Sequence, residues 1–479
     1  MKKRTLNKII VTLVSIVMLA SFTLALPAGA FFEYSQTDLE NYRLEHYNPD
    51  DGWVWLPKWD EETRTRTQYI FNDELGESVL KGIEYVGDPA ERPNDLVIPE
   101  TIEGYRVTSI FPTAFQWHWF ETVTVPEGVR DLGDWAFGRC QHLTSISLPE
   151  SLEKIGAYEF WYDDSLTEVV VPDGVEEIGE GAFAYCHRLT DLTLPASLTG
   201  IPDNLCEAAV SLVNVNIPDG VKTIGNYAFN CCHELADISI PDGVEKIGDF
   251  AFHSCGSAKK IIIPDSVTEI GIDAFRSCLS ATQVELSKSL ETVAPYAFAD
   301  CPNLEAVIIP EGVKSIEHHA FNVTPEEIHF DVDHIVNVDG GKIFALYLPS
   351  TIESIGEYAF TCQGTMTIYY GGTEEEWANV EIADYNDEVL NATVLFLGNE
   401  NGEQGSDDPI DPGQEIVVGD INGDGKVNSK DLIRFLKYLA GNNVEVVEEA
   451  LDMNCDGKIN SKDLIRLLKY MAGDETTTD

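Results

Sequence analysis

The sequence predicts a solenoid of short parallel strands joined by irregular or helical returns, an α/β repeat architecture, followed by a small all-α calcium-binding module. Three observations predict it. A 23-residue step recurs through the middle of the chain, two nearly identical Asp/Asn-rich loops stand 32 residues apart near the C-terminus, and an apolar run opens the chain. Internal repetition of this kind has to be settled before a 479-residue chain is divided into domains by length.

Residues 1–30 come first. Lys2, Lys3, Arg4 and Lys8 precede an apolar run over 9–26 and then Ala28, Gly29 and Ala30, the form of a secretory signal peptide. A membrane anchor is the competing reading, but the run is barely long enough and ends in a small-residue cleavage signal. The formal charge of −51 includes those four cations and no acids, so the chain from Phe31 onward stands at −55. Such acidity makes nucleic acid and anionic lipid poor partners. Export, with no membrane span after cleavage, is the expected fate.

Residues 31–95 show no repeat. They hold Trp53, Trp55 and Trp59, and Trp117 and Trp119 follow in the first coils. Exposed, aligned aromatics can stack on sugar rings. The plainer reading is a cap region, because a solenoid needs its first coil covered and tryptophan covers apolar surface well.

The repeat fills 96–398. Pro126, Pro149, Pro172, Pro195, Pro218, Pro241 and Pro264 keep the 23-residue step, and so do Phe229, Phe252, Phe275, Phe298 and Phe321, with Cys206 standing where an earlier Phe is missing. Each unit reads Leu-x-x-Ile-x-Ile-Pro-x-x-Val-x-x-Ile-Gly-x-x-Ala-Phe-x-x-Cys. The first part alternates as a short strand does, proline blocks its continuation, and Ala-Phe falls on the return. No unit can bury its own apolar face, so the units must stack into a parallel sheet. This spacing of Pro, Ile-Gly, Ala-Phe and Cys resembles the BspA-type leucine-rich repeat of bacterial surface and secreted proteins. The resemblance implies a leucine-rich repeat solenoid from about Leu96 to Phe360, ended by a C-terminal cap over 368–377 and 392–396. Some eleven coils at a strand spacing of about 4.8 Å make a rod on the order of 50 Å long.

Cys140, Cys186, Cys232, Cys255, Cys278 and Cys301 share one repeat position. Sulfurs stacked in a line do not converge on a metal. Adjacent strands bring Cα atoms within bridging range, so distance leaves a disulfide open. A position that Asp163, Ala209 and Thr324 also fill reads better as packing. The Cys232–His233 pair looks like a nucleophile and base, yet Cys232 belongs to the ladder and no orienting group is visible.

Phe321 and Phe360 are 39 residues apart, so an insert lies near 326–341, with His329, Asp331, Asp333 and His334. Residues 329, 331 and 333 would share a face of one strand and could present a metal site; a degenerate coil bulging outward explains them equally. Residues 399–415 form an acidic Gly/Pro-rich linker without apolar pattern. Asn322 and Asn391 open glycosylation acceptor patterns.

Residues 416–475 carry the duplicated loops. Asp420, Asn422, Asp424, Asn428 and Asp431 occupy positions 1, 3, 5, 9 and 12 of a calcium loop, with Gly425 at the turn and Lys426 offering its carbonyl at position 7. Asp452, Asn454, Asp456, Lys458, Asn460 and Asp463 repeat the set. A hard cation wants six to eight oxygens, and these residues supply them, so two Ca²⁺ ions are the expected cofactors. A helix follows each loop, with Leu432, Ile433, Phe435, Leu436 and Leu439 on the apolar face of the first and Gly441 as its stop. An ordinary EF-hand has a helix before its loop and closes on Glu. Here Asp closes the loop, and the segment resembles a dockerin, the calcium-folded module that plugs into the cohesin of a cellulosome scaffoldin.

That resemblance implies a cohesin surface: Ser429, Lys430, Ser461 and Lys462 at loop positions 10 and 11, supported by Leu436, Lys437, Leu468 and Lys469. The near identity of the halves suggests docking in either of two orientations.

No Gly-x-Ser-x-Gly elbow, phosphate loop or His-Glu-x-x-His is present. The expected protein is a secreted, extracellular, non-catalytic binder at a cellulosome or cell surface. Its dockerin is fixed to a cohesin, and its array holds an unknown protein or glycan, in a setting of polysaccharide catabolism. The alternative is a cellulosomal enzyme hydrolysing polysaccharide or peptide, with its site in the N-terminal region or the 326–341 insert.

Overall fold

The structure, a computed structural model, describes residues 53–60, 65–85, 93–323, 327–329, 335–337, 341–361, 365–399 and, save for a few loop residues, 417–472. The expected signal peptide and nearly all of the expected linker lie outside the described residues. The chain divides into two compact units at Val54. Of the first, only the start of the strand Trp53–Asp60 is described; the ladders, the core and the calcium module all belong to the second.

Two parallel ladders run along the array. The front one is made of three-residue strands such as Glu168–Val170, Asp191–Thr193, Lys260–Ile262 and Gln283–Glu285, paired without slip at the 23-residue step, as in Val169 beside Leu192. Its middle residue points inward: Val169, Leu192, Ile261 and Val284 are all buried. The back ladder consists of two-residue strands, Lys154–Ile155, Glu177–Ile178, Lys246–Ile247 and Glu269–Ile270 among them, each burying its second residue. It has twelve rungs among the described residues and reaches Glu381–Ile382, one coil beyond the expected end at Phe360.

The expectation left the return segments as helical or irregular. Among the described residues the returns of the repeats from Ala136 to Phe321 contain no helix: each is a run of tight turns in which alternate amides bond to the next coil, as Phe229, Phe252 and Phe275 donate to the carbonyls of Ala251, Ala274 and Ala297, each at 2.8 Å. The phenylalanines stack beneath, with rings 5.2 Å apart and nearly parallel at 9° for Phe252 and Phe275, and the run breaks at Cys206 as the sequence indicates. One continuous apolar core results, from Tyr69 to Val389.

At the N-terminal end the hairpin Thr65–Asn72 and Glu77–Tyr85 joins the back ladder, Glu77–Leu80 running parallel to Arg106–Ile110. At the other end Thr367–Tyr370 and Thr393–Phe396 continue the front ladder in register, with two one-turn helices, α1 (Glu374–Trp377) and α2 (Asp387–Leu390), on the connections. The insert leaves between the neighbouring strands Ala306–Ile308 and Ala345–Leu348, which pair directly, and forms a small antiparallel pair of Glu327–His329 with Ile335–Asn337. Among the described residues no helix is long and apolar enough to cross a membrane.

The calcium module contributes α3 (Ser429–Leu439), α4 (Glu448–Leu451) and α5 (Ser461–Ala472). The helices α3 and α5, one from each half, pack together.

Candidate calcium and docking site

Each loop is folded around its own carboxylates. In the second, the amide of Gly457 donates to Asp452 Oδ2 at 2.8 Å, the amide of Asn454 to Asp463 Oδ1 at 3.1 Å and that of Asn460 to Asp463 Oδ2 at 2.9 Å. Position 1 thus holds position 6, while position 12 holds positions 3 and 9. Gly457 turns the chain at φ 80°, in the left-handed region that glycine enters freely. In the first loop the amide of Ile421 donates to Asp431 Oδ1 at 2.8 Å. Asp420, Asp431, Asn460 and Asp463 are buried, whereas Lys426 and Lys458, expected to offer only carbonyls, extend into solvent. Burying a carboxylate is costly unless charge or hydrogen bonds meet it. A hard divalent cation fits this set, because every candidate side chain presents oxygen and both closing aspartates are held in place by backbone amides.

Asn422, Asp424, Gly425, Asn428 and Asp456, the remaining loop residues predicted from sequence, lie outside the described residues, as do the side chains of Ser429, Lys430 and Lys469. Among the described residues no three His, Cys, Asp or Glu side chains come together as a metal cluster. For the insert, Asp331, Asp333 and His334 lie outside the described residues, and the first strand of its pair ends at His329.

The helices that follow the loops bury Leu432, Phe435 and Leu436 from α3, and Leu464 and Leu467 from α5. Of the expected cohesin contacts, Lys462 is exposed, Lys437 and Leu468 are half-buried, and Leu436 and Ser461 are buried at 1% and 3% exposure. Sequence reasoning placed Leu436 both on the apolar face of its helix and, with Ser461, among the expected cohesin contacts. Both are buried here, and the carbonyl of Ala440, beyond the end of α3, accepts from the amide of Glu311 on the array at 3.3 Å.

The array itself offers side chains whose first duty is packing. The six ladder cysteines and Cys206 are free and buried, and thiols donate to carbonyls of the preceding coil, Cys140 to Phe115 at 3.1 Å and Cys255 to Phe229 at 3.4 Å. Burial pushes the Cys232 thiol well up, the opposite of what a nucleophile needs. Trp119 packs on the core and donates to the carbonyl of Pro93 at 3.2 Å; Trp117 is exposed and carries the Arg139 guanidinium 4.2 Å from its ring centre. Asn322 is buried and Asn391 exposed, so only the second acceptor pattern lies at the surface.

Residues 108–236 and 222–335 match the family described as BspA type Leucine rich repeat region, in six copies, and 418–472 match the Dockerin type I domain. The chain carries BspA-type leucine-rich repeats and a type I dockerin. Among solved structures, it is similar to a leucine rich cell surface protein from Faecalibacterium prausnitzii, at 24% identity over 68% of this chain and 97% of that one, with TM-score 0.39. A leucine-rich repeat protein from Bacteroides ovatus is similar at 23% identity, over 69% and 98%, with TM-score 0.41. Among curated proteins none matches the chain in sequence. Both matched domains are binding or scaffold modules, and a dockerin implies a cohesin as partner.

Proposed function

We propose that this chain is a secreted, non-catalytic binding protein whose dockerin, residues 416–475, fixes it to a cohesin of a scaffoldin through two Ca²⁺-loaded loops while the array presents a protein or glycan ligand. The observation that carries the reading is the loop geometry, in which Asp431 and Asp463 are buried and turned onto the amides of their own loops in both halves. Side chains at loop positions 1, 3, 5, 9 and 12, with the carbonyls of Lys426 and Lys458, hold the ions. The metal folds the surface on which a cohesin lands and takes no part in chemistry. In this reading the region 31–95 is a cap, 399–415 a tether, and the array supplies recognition. Surface plasmon resonance of the full chain over an immobilised type I cohesin tests it. Calcium should give saturable binding that excess chelator abolishes and Asp431→Ala with Asp463→Ala weakens at least tenfold; binding indifferent to chelator would sink the proposal.

A further inference from the structure

Along the front ladder the outward positions change character. In the early coils most are polar and largely open to solvent, as with Thr122 and Thr124, Ser145 and Ser147, or Asp191 and Thr193, and the apolar Val97 and Val170 are themselves exposed. In the strands Ala306–Ile308, Ala345–Leu348 and Thr367–Tyr370 the same positions hold Ala306, Ile308, Ala345, Tyr347 and Tyr369. Register makes them one patch: Ala306 lies beside Ala345, Ile308 beside Tyr347, and Tyr347 beside Tyr369. Outward residues of a ladder ought to be wet, yet Ala306, Ala345, Tyr347 and Tyr369 are at most 7% exposed.

The dockerin covers them. The helix α5 lies across the strands Gln283–Glu285 and Ala306–Ile308. The four buried array residues share one apolar cluster with Phe435, Leu436, Leu464 and Leu467, and Leu468 packs against it. Gln283, also outward, is fully buried, unlike the polar outward residues of earlier coils. Apolar outward residues adjoin one another on consecutive strands where the dockerin is seated, whereas Val97, Val170 and Ile262 in earlier coils stand singly and exposed. An apolar patch of this kind is an interaction surface, and here its occupant is visible.

We propose that the outward face of the last front strands is a docking surface for the chain's own dockerin, and that this face and a cohesin compete for the same helical surface. The second half rests on the cohesin reading above. Leu436 and Leu468 belong to the cohesin surface that the dockerin resemblance implies, and here Leu436 lies in the cluster that the array residues complete while Leu468 packs against it. A cohesin therefore binds only the undocked fraction, and its apparent Kd rises by the inverse of that fraction.

The test uses the full calcium-loaded chain and the double variant Ile308→Glu, Tyr369→Glu, which places two carboxylates in the patch and touches neither the dockerin nor the inward core. Small-angle scattering reads docking, and titration with a type I cohesin reads competition, with retention of the array's thermal transition as the check on folding. The variant should show a larger radius of gyration and bind the cohesin at least about threefold more tightly. An unchanged radius overturns the docking surface, and a radius that falls on dilution of the native chain assigns the patch to a second copy, which also overturns it. A larger radius with unchanged cohesin affinity overturns the competition. If neither chain binds any cohesin while the radius still responds, the cohesin reading fails and the competition with it, and the docking surface stands.

Discussion

Glu159 occupies the position that alanine fills in the coils on either side, Ala136 and Ala182, and Asp163 takes the place of Cys140 and Cys186. Both acids are buried inside the array. Glu159 Oε2 accepts from the amide of Ala136 at 2.8 Å and Asp163 Oδ1 from that of Cys140 at 2.7 Å, while the second oxygen of each is buried with no hydrogen-bond partner. Burial drives both carboxyls well above the ordinary carboxylate range, against the lowering pull of those two amides. Burial therefore favours the neutral form of both acids. Because the folded value lies above the unfolded one, their contribution to stability is complete below about pH 4, the ordinary carboxylate value, and is lost as pH rises from there toward the folded values. In that window each acid should cost about 1.4 kcal/mol per pH unit. Glu159→Gln combined with Asp163→Asn should match the native chain at the acid end and exceed it increasingly toward neutrality. Thermal midpoints across pH 4 to 8 would show it, and parallel curves would mean that the acids ionise within the fold.

At the scale of the coil, the Ile-Gly step of the repeat has a steric cause. A Cβ built on Gly248 would lie 2.7 Å from the amide nitrogen of Asn226 in the coil before it, a backbone atom that cannot step aside. Gly248→Ala should lower the melting temperature of the array, at a cost of about 1–3 kcal/mol as for overpacked cores, and an unchanged midpoint would show that adjacent coils can separate locally. The same coil shows what the sequence made legible. Leu235, Ile238, Val244, Ile247, Phe252 and Cys255 were readable as inward positions because a solenoid core repeats with its coil, and all are buried. The back strand Lys246–Ile247 was missed, since two residues are too few for alternation to register. Between the helical and irregular returns that the sequence left open, the irregular one holds, and its detail was hidden because Tyr227, Cys231, Phe250 and Ser254 adopt φ between 56° and 59°, a conformation usually announced by glycine. Here hydrogen bonds to the next coil sustain it. The dockerin was legible because its two loops repeat oxygen-bearing side chains and a turn glycine at fixed spacing. The apolar cluster that Leu436 shares with the array was not, because it depends on which array residues face outward near α3 and α5.

At the scale of the molecule, apolar packing falls into two clusters. One runs through the array from Tyr69 to Val389; the other joins the dockerin to the outward residues Ala306, Ala345, Tyr347 and Tyr369. Cooperative unfolding follows contiguous packing, so the two should melt as separate units, with the calcium ions stabilising only the second. The dockerin helices are short, α3 at 11 residues and α5 at 12, lengths that are marginal in water without tertiary support. Without bound cations the buried Asp420, Asp431 and Asp463 would lose their compensating charge, and the loops that hold α3 against α5 should open. Calorimetry of the full chain in calcium should therefore resolve a smaller transition beside the main one. Chelator should abolish the smaller transition, leave the main one within a few degrees, and raise the fluorescence of a dye that binds exposed apolar surface as Tyr347 and Tyr369 are uncovered. The Ile308→Glu, Tyr369→Glu variant should keep the calcium-dependent transition but give a smaller dye response, because its patch is already charged and open while the opened dockerin still exposes Phe435 and Leu464. A single transition that chelator shifts as a whole would show that the second cluster and the first form one cooperative body; two transitions indifferent to chelator would show that the loops fold without a cation.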